Sequence, residues 1–116
     1  MQRVVLIALV VLLSACVKYS VPDIAFKQKN FSVEIDGVKY IAYVFKDGNY
    51  RFILFDALGV PQADMNLVAG RFQTNKFLPN KNFHRQIFLE ILNMLKDGRK
   101  SKGFQLGNKE IRILEF

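Results

Sequence analysis

The feature that most constrains this chain is a residue-by-residue alternation that starts at Phe31 and is cut at short intervals by turn-forming residues. "FSVEID" puts Phe31, Val33 and Ile35 on one side and Ser32, Glu34 and Asp36 on the other, the period-two pattern of a half-buried strand. Asp36-Gly37 follows, a pair that tolerates positive φ and is the strongest short-range signal for a two-residue hairpin. "VKYIAYVFK" is then apolar on both faces, Val38, Tyr40, Ala42 and Val44 against Ile41, Tyr43 and Phe45, which predicts a central strand. "DGN" at 47–49 turns the chain into "YRFILFDA", again two-sided. "LGVPQ" at 58–62 leads into "ADMNLVAG", where Ala63, Met65, Leu67 and Ala69 alternate with Asp64 and Asn66. "RFQTNKFL" predicts a fifth, more amphipathic strand, so that residues from about 31 to 78 form an antiparallel meander.

Pro79 stops this pattern and a period of three to four replaces it. Phe83, Ile87, Ile91 and Leu95, with Phe88, Leu92 and Met94, form a wide apolar face that predicts a helix over about 82–97. Asn80 or Asn82 is placed to cap its start, and Gly98 to end it in the left-handed region. "GFQLG" and "EIRILEF" predict a closing hairpin over about 103–116, joined across Asn108-Lys109. The expected class is α+β, a curved antiparallel sheet with one helix packed on it. At 116 residues there is room for one domain, and 51% hydrophobic residues suffice for its core.

Ahead of the alternation stands a different kind of segment. "MQR" is followed by ten apolar residues at 4–13 and then by Ser14-Ala15-Cys16. A positive start, a short apolar stretch and small residues before a cut point make a secretory signal. Ten residues fall well short of the about 20 that span a bilayer. "LSAC" at 13–16 resembles the lipobox of bacterial lipoproteins. That resemblance implies diacylglyceryl transfer to the Cys16 thiol, cleavage between Ala15 and Cys16, and acylation of the new amino terminus, a palmitate-type lipid anchor. An ordinary signal peptide with a coincidental Cys, or an uncleaved anchor, is the alternative. By the enterobacterial sorting rule, Val17 in place of Asp implies the outer membrane, facing the periplasm. The expected organisation is a signal peptide over 1–15, lipidated Cys16 with a tether over 16–30, and one domain over 31–116.

Charge and cysteine content exclude several classes. Cys16 is the only cysteine, so there is no internal disulfide framework and no multi-thiolate metal site. The formal charge is +7, and about +6 without the first fifteen residues. Most cations are scattered; Lys96, Arg99, Lys100 and Lys102 cluster beside Asp97-Gly98 in a connecting loop and are candidates for docking a protein partner. No aromatic stripe, zinc-knuckle spacing or helix-turn-helix pattern points to nucleic acid. His84 is the single histidine and reads as a solvated surface residue. Ser20, Ser32 and Ser101 have no nucleophile-elbow context, and Glu34 with Asp36 reads as the wet face of a strand. No cofactor, metal or enzymatic activity is expected.

The aromatic load is what remains: eleven Phe and four Tyr. A sheet with one helix leaves one face bare, so two-sided strands predict apolar residues that line a groove. "YRFILFDALGVPQADMNLVAGRF" at 50–72 resembles the strand–turn–strand core of LolB-like lipoproteins, and in particular short ones of that family. Gly59, Pro61, Gly70, Leu78 and Pro79 hold the matching turn positions. The resemblance implies a half-open barrel whose concave apolar face receives the acyl chains of lipoproteins. No loop here matches the exposed apolar residue that LolB-like proteins use at the membrane. The expected function is non-enzymatic binding of acyl chains or lipoproteins at the outer membrane, with Tyr43, Phe45, Phe55 and Phe88 as the contact residues. The alternative is an adaptor lipoprotein that docks an envelope protein through the basic loop.

Overall fold

The computed structural model describes residues 21–75 and 78–116. The expected signal segment, the lipobox with Cys16 and the sorting position Val17 lie outside them. The order of elements is β1 (Gln28–Ile35), β2 (Val38–Asp47), β3 (Asn49–Asp56), β4 (Pro61–Val68), β5 (Arg71–Thr74), α1 (Asn82–Asp97), β6 (Ser101–Leu106) and β7 (Lys109–Glu115). All seven strands form one antiparallel sheet in the order β5-β4-β3-β2-β1-β7-β6, an open sheet with β5 and β6 at its edges.

The meander follows from its turns. Asp36 and Gly37 both take positive φ, +50° and +81°, the left-handed pair that matches strand twist. Ala69 and Gly70 repeat the device at +51° and +77° between β4 and β5. Between β3 and β4, Asp56 Oδ1 accepts the N–H groups of Leu58 and Val60, both at 2.9 Å, and so folds the wider turn over itself.

α1 joins the two edges of the sheet and covers one face on the way. That face carries Phe31, Val33, Ala42, Val44, Phe52, Leu54, Ala63, Met65, Ile111 and Ile113, each at most 1% exposed. From the helix, Ile87, Phe88 and Ile91 meet them at 0%. Phe52 and Phe88 stack at 5.1 Å between ring centroids, and Phe72 sets its edge to Phe52 at 5.9 Å. Burying one such aromatic side chain contributes about 1.5–3 kcal/mol.

The helix spans the expected 82–97, and four other details differ from expectation. The helix starts after Lys81, with no side-chain cap. Asn80 instead donates its amide to the Phe72 carbonyl and meets Arg85, while Asn82 Oδ1 faces Arg85 and Gln86 inside the first turn. β5 stops at Thr74, because Leu78 N–H turns back to Asn75 O and Thr74 Oγ1 donates to Leu78 O at 2.7 Å. The last hairpin turns at Gly107-Asn108, one residue early, with Gly107 at φ +64°.

The fourth difference is the largest. The stretch expected to be a tether up to residue 30 is docked on the domain from Pro22 onward. Tyr50 Oη donates to the Pro22 carbonyl at 2.6 Å and accepts the Ile24 N–H at 3.2 Å. Lys46 Nζ donates to Ile24 O at 2.6 Å and to Asp23 at 2.5 Å, and the Phe26 ring lies 5.9 Å from that of Tyr50. Strand pairing then begins at Gln28, opposite Phe45. A segment without strand or helix period is held here by two side chains far along the chain.

Candidate functional site

The face away from α1 is built from the other half of the same strands. Cross-strand partners Ile41 and Phe55, then Tyr43 and Ile53, then Phe45 and Arg51 run down β2 and β3. Their neighbours on β1 are polar, Ser32, Asn30 and Gln28. On β4 they are Asp64 opposite Ile53 and Asn66 opposite Arg51. The result is an apolar stripe two strands wide, rimmed by polar side chains on both sides.

Tyr43, Phe45 and Phe55 are half-buried, and Ile53 is buried among its neighbours. The Tyr43 and Phe55 rings meet edge to face at 5.6 Å. Ile41, Tyr43 and Phe55, with Ala57, Gly59 and Asp56, surround an open depression of about 270 Å³. That is just under the roughly 300–1,000 Å³ of pockets that enclose a drug-sized ligand, so it suits one narrow apolar chain lying along the surface.

Below the stripe, Asp64 is 1% exposed, and Arg51 meets it with two bonds, Nε to Oδ1 at 3.0 Å and a terminal nitrogen to Oδ2 at 2.7 Å. Asn75 Nδ2 donates to Oδ1 as well. The hydrogen bond to Asp64 raises the Arg51 pKa against the opposing effect of burial. A second depression of about 420 Å³ beside it is lined by Phe45, Asp47, Asn49, Arg51 and Asn66. A third, about 570 Å³, lies over β6, β7 and β1, where Arg99 and Arg112 share a trough with Glu34, Ser32 and Ser101.

The expected contact residues therefore divide. Tyr43 and Phe55 come together on the open face, with Phe45 further along β2. Phe88 does not join them: at 0% exposure it fills the core on the opposite side of the sheet, stacked on Phe52. The face under α1 is filled by side chains, so Phe88 is no part of a groove on the uncovered face. The physical reason is that Phe88 sits on the helix's buried side with Ile87 and Ile91.

The basic cluster divides too. Lys96, Arg99 and Lys100 are exposed, whereas Lys102 points to the helix side of the sheet and is ion-paired with Glu90. Lys100 and Lys29 both meet Glu115, at 2.7 and 2.9 Å. Burial raises that carboxyl's pKa, and hydrogen bonds from Lys100 and Lys29 outweigh it and leave it below its usual value.

Two residues stand differently from their sequence reading. Leu58 is 90% exposed at the tip of the β3–β4 turn, so a loop with an exposed apolar side chain exists after all. Its position between Ala57 and Gly59 in a turn was the available signal. His84 is half enclosed rather than solvated. Its Nδ1 has no hydrogen-bond partner among the described residues, and burial, with Lys81 nearby, lowers its pKa.

Among the described residues, no helix is long and apolar enough to cross a membrane, and no group of three or more His, Cys, Asp or Glu is arranged to hold a metal ion. No protein-family model, curated protein or solved structure matches this chain.

Proposed function

We propose that this chain is a non-enzymatic lipoprotein of the cell envelope, anchored through Cys16 at the outer membrane, that binds a single acyl chain on the open face of its sheet. One observation carries the reading: an apolar stripe of Ile41, Tyr43, Ile53 and Phe55, rimmed by polar residues, lies on the face that α1 leaves uncovered. Aromatic and branched side chains held rigid by strand pairing offer apolar area with little entropy left to lose on binding. The likeness to LolB-like lipoproteins supports the ligand class, and its residues 50–72 span β3, β4 and the start of β5. Leu58, next to the depression at the Ala57–Gly59 turn, extends the apolar track past the end of the strands. The acyl chain is thus assigned to the open face and not to the filled interior under α1.

The test is a titration of the full chain with a fluorescent fatty acid. Saturable binding is expected, weakened about tenfold or more by Tyr43→Ser with Phe55→Ser, since each removes an aromatic contact of about 1 kcal/mol or more. Phe45→Ser, further along β2, is expected to weaken it less. Absence of saturable binding, or binding that the double substitution leaves unchanged, overturns the reading.

A further inference from the structure

The chain enters the sheet at one particular end. Pro22, Ile24 and Phe26 are pinned there by Tyr50 and Lys46. Pairing of Gln28 with Phe45, Tyr50 with Leu67, Phe31 with Glu115 and Ser101 with Leu114 places the β2–β3 and β4–β5 turns, the end of β7 and the start of β6 at that same end. α1 finishes there as well, because β6 follows it after three residues.

This rim carries an excess of free positive charge. Its carboxylates Asp23, Glu90 and Glu115 are taken up by Lys46, by Lys102 and by Lys29 with Lys100. Lys27, Arg71, Lys96 and Arg99 are exposed, and among the described residues none of them is in an ion pair. Asp47 and Asp97 oppose them only in part. The other end of the sheet is different: its turns expose apolar Val38, Leu58 and Val60, and its cations Lys39 and Lys109 stand beside Asp36, with Lys109 ion-paired to it.

Cys16 precedes Pro22 by six residues, a span of at most about 21 Å when fully extended. β2 is ten residues long, so the Leu58 end stands roughly 30 Å beyond the pinned end. An anchor on Cys16 therefore brings the basic rim to the bilayer before it brings the apolar tip. We infer that the rim formed by Lys27, Arg71, Lys96 and Arg99 docks on anionic phospholipid headgroups, so that the domain stands on its basic end and holds the Leu58 tip away from the membrane. The direction of approach rests on lipidation of Cys16; the attraction does not. A basic residue near an anionic surface raises partitioning by about fivefold, and the effect decays within a Debye length.

The experiment uses the full chain, purified from membranes, with a fluorophore on Asn49→Cys at the basic end or on Asn108→Cys at the other. Each is mixed with phosphatidylethanolamine vesicles, with or without phosphatidylglycerol, that carry a headgroup quencher. Co-flotation with the neutral vesicles reads the anchor on its own. With phosphatidylglycerol at low salt, the probe at 49 is expected to be quenched about threefold more than the probe at 108, and high salt should remove the difference. Lys27→Glu, Arg71→Glu, Lys96→Glu and Arg99→Glu together should abolish it while leaving the thermal unfolding midpoint near that of the parent. If the chain fails to float with neutral vesicles, the lipoprotein reading fails. Docking is then judged by the anionic vesicles alone: binding with the probe at 49 quenched upholds it, and no binding overturns it. Equal quenching at both ends, stronger quenching at 108, or a difference indifferent to salt and lipid charge also overturns it. A rim that ignores anionic vesicles leaves these cations to a protein partner.

Discussion

The two faces of the sheet are made by the same strands and have opposite fates. On β3, Phe52 and Leu54 point to α1 and are 0% exposed; Phe55, on the other side, stays half-buried beside Tyr43 and Ile41. The covered face is apolar across the central strands, with Phe31, Ala42, Leu54 and Ala63 paired in one cross-strand row. The open face is apolar mainly on β2 and β3, with Leu114 of β7 exposed beyond Ser32, and the deeply buried carboxylate of Asp64 is gripped there by Arg51. Apolar character by itself therefore does not define the core of this domain. What defines it is which face α1 crosses on its way from β5 to β6.

The largest test of that contrast compares the faces at matched chemistry. Phe52→Ala leaves a cavity against Phe72 and Phe88 and is expected to cost about 3–5 kcal/mol. Phe55→Ala removes a half-buried ring from an open surface and is expected to cost about 1 kcal/mol while impairing acyl binding. Urea unfolding of both measures the gap. Similar losses at the two positions mean that something covers the open face in solution.

Next comes the ion pair. Asp64→Ala takes away a carboxylate that is 1% exposed and leaves Arg51, itself 38% exposed, without its partner. Because the guanidinium retains access to water, the expected loss is about 2–3 kcal/mol, below that for a fully buried pair. A double-mutant cycle with Arg51→Ala isolates the coupling. A coupling near zero would mean that the pair is no more than a surface contact.

How far this contrast was legible beforehand is instructive. Turn pairs at 36–37 and 47–49, and the two-sided pattern of β2 and β3, identify the meander because side-chain alternation and turn chemistry are local. The α1 face was legible for the same reason. Which sheet face α1 would cover is a long-range matter, and no local pattern states it. That is why Phe88 was grouped with Tyr43 and Phe55, although a sheet lies between them. The docked segment from Pro22 was hidden likewise, since its partners Tyr50 and Lys46 lie more than twenty residues away.

That docking gives a smaller test. Tyr50→Phe keeps the ring against Phe26 and Phe52 and deletes the hydroxyl that joins Pro22 to Ile24. A loss of about 1 kcal/mol is expected. Hydrogen exchange at Ile24 should quicken more than exchange in β4. Unchanged protection at Ile24 would show that Lys46 alone suffices, and the membrane-facing end would be less firmly defined.

The smallest effect concerns the rim of the covered face. His84, in the first turn of α1, is half enclosed with an unpartnered Nδ1, and burial and Lys81 depress its pKa below 6.5. The unfolded chain therefore gains a proton at this site at a higher pH than the folded chain does. Stability is at its full value above about pH 6.5 and is lost as pH falls toward the lower folded value, after which the contribution is constant. Glu115, whose pKa lies below its usual 4.5, acts in a separate window at lower pH, so the two are distinguishable. Unfolding midpoints of the parent should decline across the upper window, and His84→Gln should flatten that decline. A parent curve already flat there would mean that His84 is as wet as the open face, and that the covered face ends one helical turn further along α1.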